Sequence, residues 1–119
     1  QYRYAVGNVT TEIPAGKLDH KGESPMEAAL RELREETGYS CEKLTHIGDL
    51  LSSPAILSEV IHMYFAEGLI PGETDPDDDE FLELVKIPLS DLKRMIVSGE
   101  IDDAKTQAAV LKVCAILGR

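Results

Sequence analysis

Two periods of apolar residues alternate along the chain. Residues 1–6 (QYRYAV) alternate and are rich in Tyr and Val, which predicts a strand; the Gly7-Asn8 turn signal and residues 9–13 predict its hairpin partner. Residues 14–22 have no hydrophobic period and contain Gly16 and Gly22, so they read as a loop. A helix begins at Ser24, where Ser24 and Glu27 form a capping box, Pro25 takes the first helical position, and Gly38 ends the element. Met26, Ala29, Leu30, Leu33 and Thr37 recur at ~100° per residue and predict its core face. Residues 41–51 predict a strand, Ser52-Ser53-Pro54 a break, and residues 60–66 (VIHMYFA) a buried strand. After the polar loop 71–80, residues 81–87 alternate as a strand that Pro88 stops. Ser90 or Asp91 opens a short helix to Val97, and Asp102 or Asp103 opens a last one, which Ala104, Ala108, Leu111, Ala115 and their neighbours make amphipathic. Strands interleaved with helices give an α+β chain, an α/β/α sandwich around a mixed sheet.

The 119 residues suffice for a single domain, spanning residues 1–119. Hydrophobic residues at 43% and charged residues at 29% fit a globular protein. No apolar run approaches the ~18 residues of a membrane span, and no signal peptide is visible, so a cytoplasmic location is expected. The chain starts at Gln1 in strand-like sequence, as a fragment would. A net charge of −10 argues against nonspecific binding to nucleic acid or to an anionic membrane. A phosphorylated ligand stays open, because bound cations invert a local field. Cys41 and Cys114 have no CxxC partner and read as free thiols.

Candidate chemistry gathers in the first helix. Glu32, Glu35 and Glu36 span an arc of about 100° beside the core stripe. Neighbouring like charges oppose a helix by roughly 0.2–0.5 kcal/mol per pair, and Arg31 relieves only part of this, at Glu35. A hard divalent cation, Mg²⁺ or Mn²⁺, would remove the conflict, and no His or Cys on the helix suggests zinc. An acidic helix that is simply solvated is the other reading. Ala15 and Gly16 are small enough for the backbone to approach a ligand. Arg3 is either a solvated strand residue or a guanidinium aimed at phosphate. His46 and His62 read as structural. Asp75, Asp77 and Asp79 imitate the start of a Ca²⁺ loop, but Glu80 stands where Gly is needed and Lys86 where Glu is needed.

Glu23, seven residues, then Arg31-Glu32-Leu33-x-Glu35-Glu36-x-Gly38-Tyr39 resemble the Nudix box, G-x5-E-x7-R-E-U-x-E-E-x-G-U, where U is a bulky apolar residue. Gly16 and Glu23 are separated by six residues rather than five, an insertion in the loop. The QYR run, EIPAGKL, Pro54, DEFLELVKIPL and the DAKT of residues 103–106 extend the resemblance to the ADP-ribose pyrophosphatase branch. Two features depart from that branch: PAILSE at residues 54–59 replaces its frequent PGFS, and the strands that usually precede QYR are absent.

The resemblance implies a Nudix fold and Mg²⁺-dependent hydrolysis of ADP-ribose to AMP and ribose 5-phosphate. Other nucleoside diphosphate sugars, or a non-catalytic ligand sensor, are the alternatives. It implies Glu32, Glu36, Glu35 and the Ala15 carbonyl as metal ligands, and Glu23–Arg31 as an internal ion pair. Arg3 becomes a diphosphate-binding residue, and Glu80 the general base, with Asp79 and Glu35 in reserve. The implied partners are a small nucleoside diphosphate substrate and a second copy in a homodimer.

Overall fold

The structure, a computed structural model, describes residues 1–3, 5–16, 18, 21–72 and 83–119, with Tyr2 described in its backbone alone. The expected α+β content is present. Among the described residues four strands, β1 (Tyr2–Arg3), β2 (Asn8–Val9), β3 (Tyr39–Leu51) and β4 (Val60–Pro71), accompany three helices, α1 (Pro25–Thr37), α2 (Leu89–Val97) and α3 (Ala104–Leu117). Strand β1 pairs antiparallel with β2, Tyr2 opposite Val9 and Arg3 opposite Asn8, and β3 is hydrogen-bonded to β4. No described helix is long and apolar enough to cross a membrane.

The chain divides into two compact units. The first contains residues 1–13, 49–61 and 85–119. Its core is Ile96, Ile101, Val110 and Cys114, with Ile13, Leu89, Leu92 and Met95 packed against them. Asp103 caps α3, accepting from the Thr106 amide at 3.0 Å. The buried face of α3 is Thr106, Ala109, Val110, Val113 and Cys114, so burial falls on the neighbours of Ala108, Leu111 and Ala115 rather than on those residues themselves; Leu111 is 39% exposed. Apolar residues surround this helix almost completely, so periodicity does not select a face. The register follows instead from Thr106, 1% exposed, whose hydroxyl is pinned at both ends. Helix α2 starts at Leu89 behind Pro88, and neither Ser90 nor Asp91 caps it. Residues 83–87 form no strand, and the rest of that expected strand lies outside the described residues.

The second unit contains residues 14–48 and 62–84. Ser24 caps α1 through the Glu27 amide at 3.2 Å. Gly38 ends it in the left-handed region (φ 79°), donating its N–H to the Arg34 carbonyl at 2.8 Å. The apolar stripe is only partly hidden: Ala28 and Thr37 are buried, while Met26 and Leu30 are 43% and 39% exposed. The helix seats its small side chains deepest. The expected strand 60–66 runs on to Pro71, and within it only Met63 is buried. Cys41 and Cys114 are both free thiols.

Candidate metal and diphosphate site

The box residues come together within the second unit. Arg31 lies at the centre of the cluster. Its Nε and Nη2 donate to the two Glu23 oxygens at 3.0 and 3.2 Å, and its Nη1 to Glu32 at 2.8 Å and Glu35 at 3.1 Å. The fork grips Glu23 bidentately, as a planar guanidinium does best. These contacts, first to Glu23, raise the Arg31 pKa well above its ordinary value, so the residue stays cationic. Side-chain exposure is 12% for Glu23, 15% for Glu32 and 40% for Glu35, so the carboxylates are progressively more open along that series.

Ala15 and Gly16 lie against the same helix face. The Ala15 amide donates to Glu36 Oε2 at 3.1 Å. At Gly16 a Cβ would fall 2.0 Å from Glu32 Cδ, so any side chain there would have to move the Glu32 carboxylate. The backbone at Ala15 and Gly16 thus lies close against the carboxylates of α1. Glu32, Glu36 and the Ala15 backbone, 21 residues away from Glu36, share one site.

Charge decides what this site accepts. Glu23, Glu32, Glu35 and Glu36 carry four negative charges against the one positive charge of Arg31, leaving −3 among these five side chains. Each carboxylate presents about four lone-pair sites, so the contacts to Arg31 and Ala15 do not exhaust them. Hard oxygen donors beside a loop with no Cβ fit a Mg²⁺- or Mn²⁺-type cation.

Arg3 lies in the first unit, in a different setting. Its Nε and Nη2 donate to Glu12 at 2.7 and 2.8 Å. Glu12 also accepts from Lys105 and the Thr10 hydroxyl. The Arg3 guanidinium, reinforced by Lys105 and Thr10, holds the Glu12 carboxyl far below the usual carboxylate range, against the upward push of burial. Lys105 also bridges both Asp103 oxygens at 3.1 Å, and the Thr106 hydroxyl accepts the Ile13 amide at 3.1 Å. The sequence singles out Arg3 and the segments that carry Glu12 and Lys105, but not their network, because Glu12 and Lys105 are 93 residues apart and no spacing links them. Glu80 and Asp79 lie outside the described residues.

A second feature without sequence spacing is a histidine pair. His46 on β3 and His62 on β4 place their rings 6.1 Å apart, centroid to centroid, and Tyr64 lies 5.1 Å from His46. Strand pairing brings them together across sixteen residues of sequence.

Comparison with known proteins agrees with the box. The NUDIX domain model matches residues 2–109. The chain is 43% identical over 112 residues to an ADP-ribose pyrophosphatase of Bacillus subtilis (strain 168), covering 92% of this chain and 60% of the relative. It is 44% identical over 112 residues to a methanol dehydrogenase activator of Bacillus methanolicus, with the same 92% and 60% coverage. The chain thus spans about 60% of the length of these curated relatives. Among solved structures, an ADP compounds hydrolase superposes with a TM-score of 0.87 at 28% identity, over 99% of this chain and 63% of that one. The carboxylate-lined helix, its glycine-backed loop and the match over residues 2–109 place this chain in the Nudix family.

Proposed function

We propose that the protein hydrolyses the diphosphate of ADP-ribose, with Mg²⁺, to AMP and ribose 5-phosphate. The observation that carries this reading is the convergence of Glu32, Glu36 and the Ala15–Gly16 backbone on one site with surplus negative charge. The B. subtilis relative bears the name ADP-ribose pyrophosphatase, which supports the choice of substrate. Residues 1–119 act as one Nudix domain in a cytoplasmic homodimer.

In this mechanism Glu32, Glu36, Glu35 and the Ala15 carbonyl would hold Mg²⁺, which when bound would supply charge neutralisation to the phosphoryl oxygens and make water a better nucleophile. Arg31 fixes the orientation of Glu32 and Glu35, and its grip on Glu23 anchors the start of α1. Glu80 accepts the proton of the attacking water as its oxygen bonds to one phosphorus, with Asp79 and Glu35 the reserves. The bridging P–O bond breaks and the second phosphate leaves with the electron pair. Arg3 binds the diphosphate.

A panel of ADP-ribose, UDP- and GDP-sugars, dinucleotides and nucleoside triphosphates with Mg²⁺ tests the reading. ADP-ribose is expected to have the highest kcat/KM. Equal or faster turnover of other nucleoside diphosphate sugars would move the substrate to that class. Ligand binding without turnover would make the protein a sensor.

A further inference from the structure

We propose that Lys105 is a positioning residue that acts through Glu12 to hold the Arg3 guanidinium ready for a diphosphate. This rests on the reading of Arg3 as a substrate-binding residue.

Arg3 and its partners differ in depth. The Arg3 side chain is 45% exposed, whereas those of Glu12, Lys105 and Asp103 are 9%, 17% and 21% exposed. The Arg3 side chain is thus the most open member of a cluster whose other members are partly or largely hidden. Glu12 takes two of its five N–H donors in a bidentate grip, which fixes the plane of the group. An Arg side chain loses much rotamer freedom when it binds an anion, and an arginine already held in place has less to lose.

Orientation by a carboxylate has an electrostatic cost. An Arg3–Glu12 pair is formally neutral, so the charges next to it set the sign of the field around the guanidinium. Lys105, bonded to Glu12, adds the missing positive charge. Asp103 removes one again, but it is the N-cap of α3, where the helix end carries roughly half a positive charge. With Lys105 the four side chains sum to zero; without it they sum to −1, and the guanidinium becomes a poor anion site. Thr106 completes the base by accepting the Ile13 amide, next in chain to Glu12. The DAKT run thus contributes three side chains to one device: Asp103, Lys105 and Thr106.

The test measures the Kd of inorganic pyrophosphate, with Mg²⁺ present, by calorimetry on the full chain. Lys105→Met is expected to raise Kd roughly tenfold and Lys105→Arg to restore it, because Arg keeps the charge on Glu12. In an Arg3→Met background, itself weaker by roughly tenfold or more, Lys105→Met should change nothing further, since its effect passes through Arg3. Additive losses in the double variant, an unchanged Kd in Lys105→Met, or no pyrophosphate binding by the wild type would each overturn the proposal. An unchanged Kd in Arg3→Met would overturn the role of Arg3 itself. Substrate preference is read separately by the substrate panel. A merely structural Lys105 would lower Tm without moving the pyrophosphate Kd of the remaining folded protein.

Discussion

Two ionic clusters among the described residues are built on opposite plans. Around Glu12, the carboxylates Glu12 and Asp103 face the cations Arg3 and Lys105, and formal charge cancels. Around Arg31, Glu23, Glu32 and Glu35 accept from the guanidinium while Glu36 accepts from the Ala15 amide, and these five side chains sum to −3. A charge-balanced network orients and stabilises what it touches. A set of carboxylates with surplus negative charge favours an added cation that fits. The contrast separates the two roles more clearly than burial does, since Glu12 and Glu32 are hidden to similar degrees, 9% and 15% exposed.

The comparison breaks first at the ligands. Glu36→Gln or Glu32→Gln should lower kcat with ADP-ribose by more than about 100-fold, beyond the loss from disturbing a ligand's outer partner. Steady-state kinetics at saturating Mg²⁺ checks this. The second break is steric. In Gly16→Ala the new Cβ, 2.0 Å from Glu32 Cδ, must displace either the loop or the carboxylate. A stability loss of about 1–3 kcal/mol is expected from overpacking, with roughly 100-fold lower activity.

The third prediction concerns the satisfied cluster. Removing the Glu12 charge strands two cations, and Glu12→Gln should cost about 2 kcal/mol at pH 7, read by denaturant unfolding. Its pH dependence has a fixed sign. The folded state holds the Glu12 proton less tightly than the unfolded chain, whose ordinary value is 4.5. The contribution is therefore present above that value and is lost as pH falls below it toward the depressed folded pKa. The gap between wild type and Glu12→Gln should close in acid. The mildest change is Glu35→Gln: its side chain is 40% exposed, so stability should move by no more than about 0.5 kcal/mol and activity by about tenfold.

Features fixed by local chemistry were legible in the sequence. Ser24, Pro25 and Gly38 bound α1 because capping depends on neighbours three or four residues away. The Glu23–Arg31 pair and the Arg31–Glu35 contact follow from helical spacing and the box pattern. The buried face of α3 was not legible, because its nearly all-apolar sequence leaves the choice to Thr106, whose partner Ile13 is 93 residues away. The Glu12 base and the His46–His62 pair were hidden for the same reason: both depend on strand and helix placement rather than on spacing. On α1 the stripe predicted burial for Met26, Leu30 and Thr37; Thr37 is buried, but Met26 and Leu30 are exposed and the small Ala28, outside the stripe, is buried instead.

Mg²⁺-dependent stabilisation tests the unequal charge of the two clusters most directly. Thermal unfolding of the wild type, Glu12→Gln and Glu36→Gln would be followed with and without Mg²⁺, with no substrate present. At about 100 times Kd, a single bound ion should stabilise the wild type by about 2.7 kcal/mol, with the same gain in Glu12→Gln and almost none in Glu36→Gln. An equal Mg²⁺ gain in Glu36→Gln, or its loss in Glu12→Gln, would contradict the assignment of the surplus-charge cluster as the metal site.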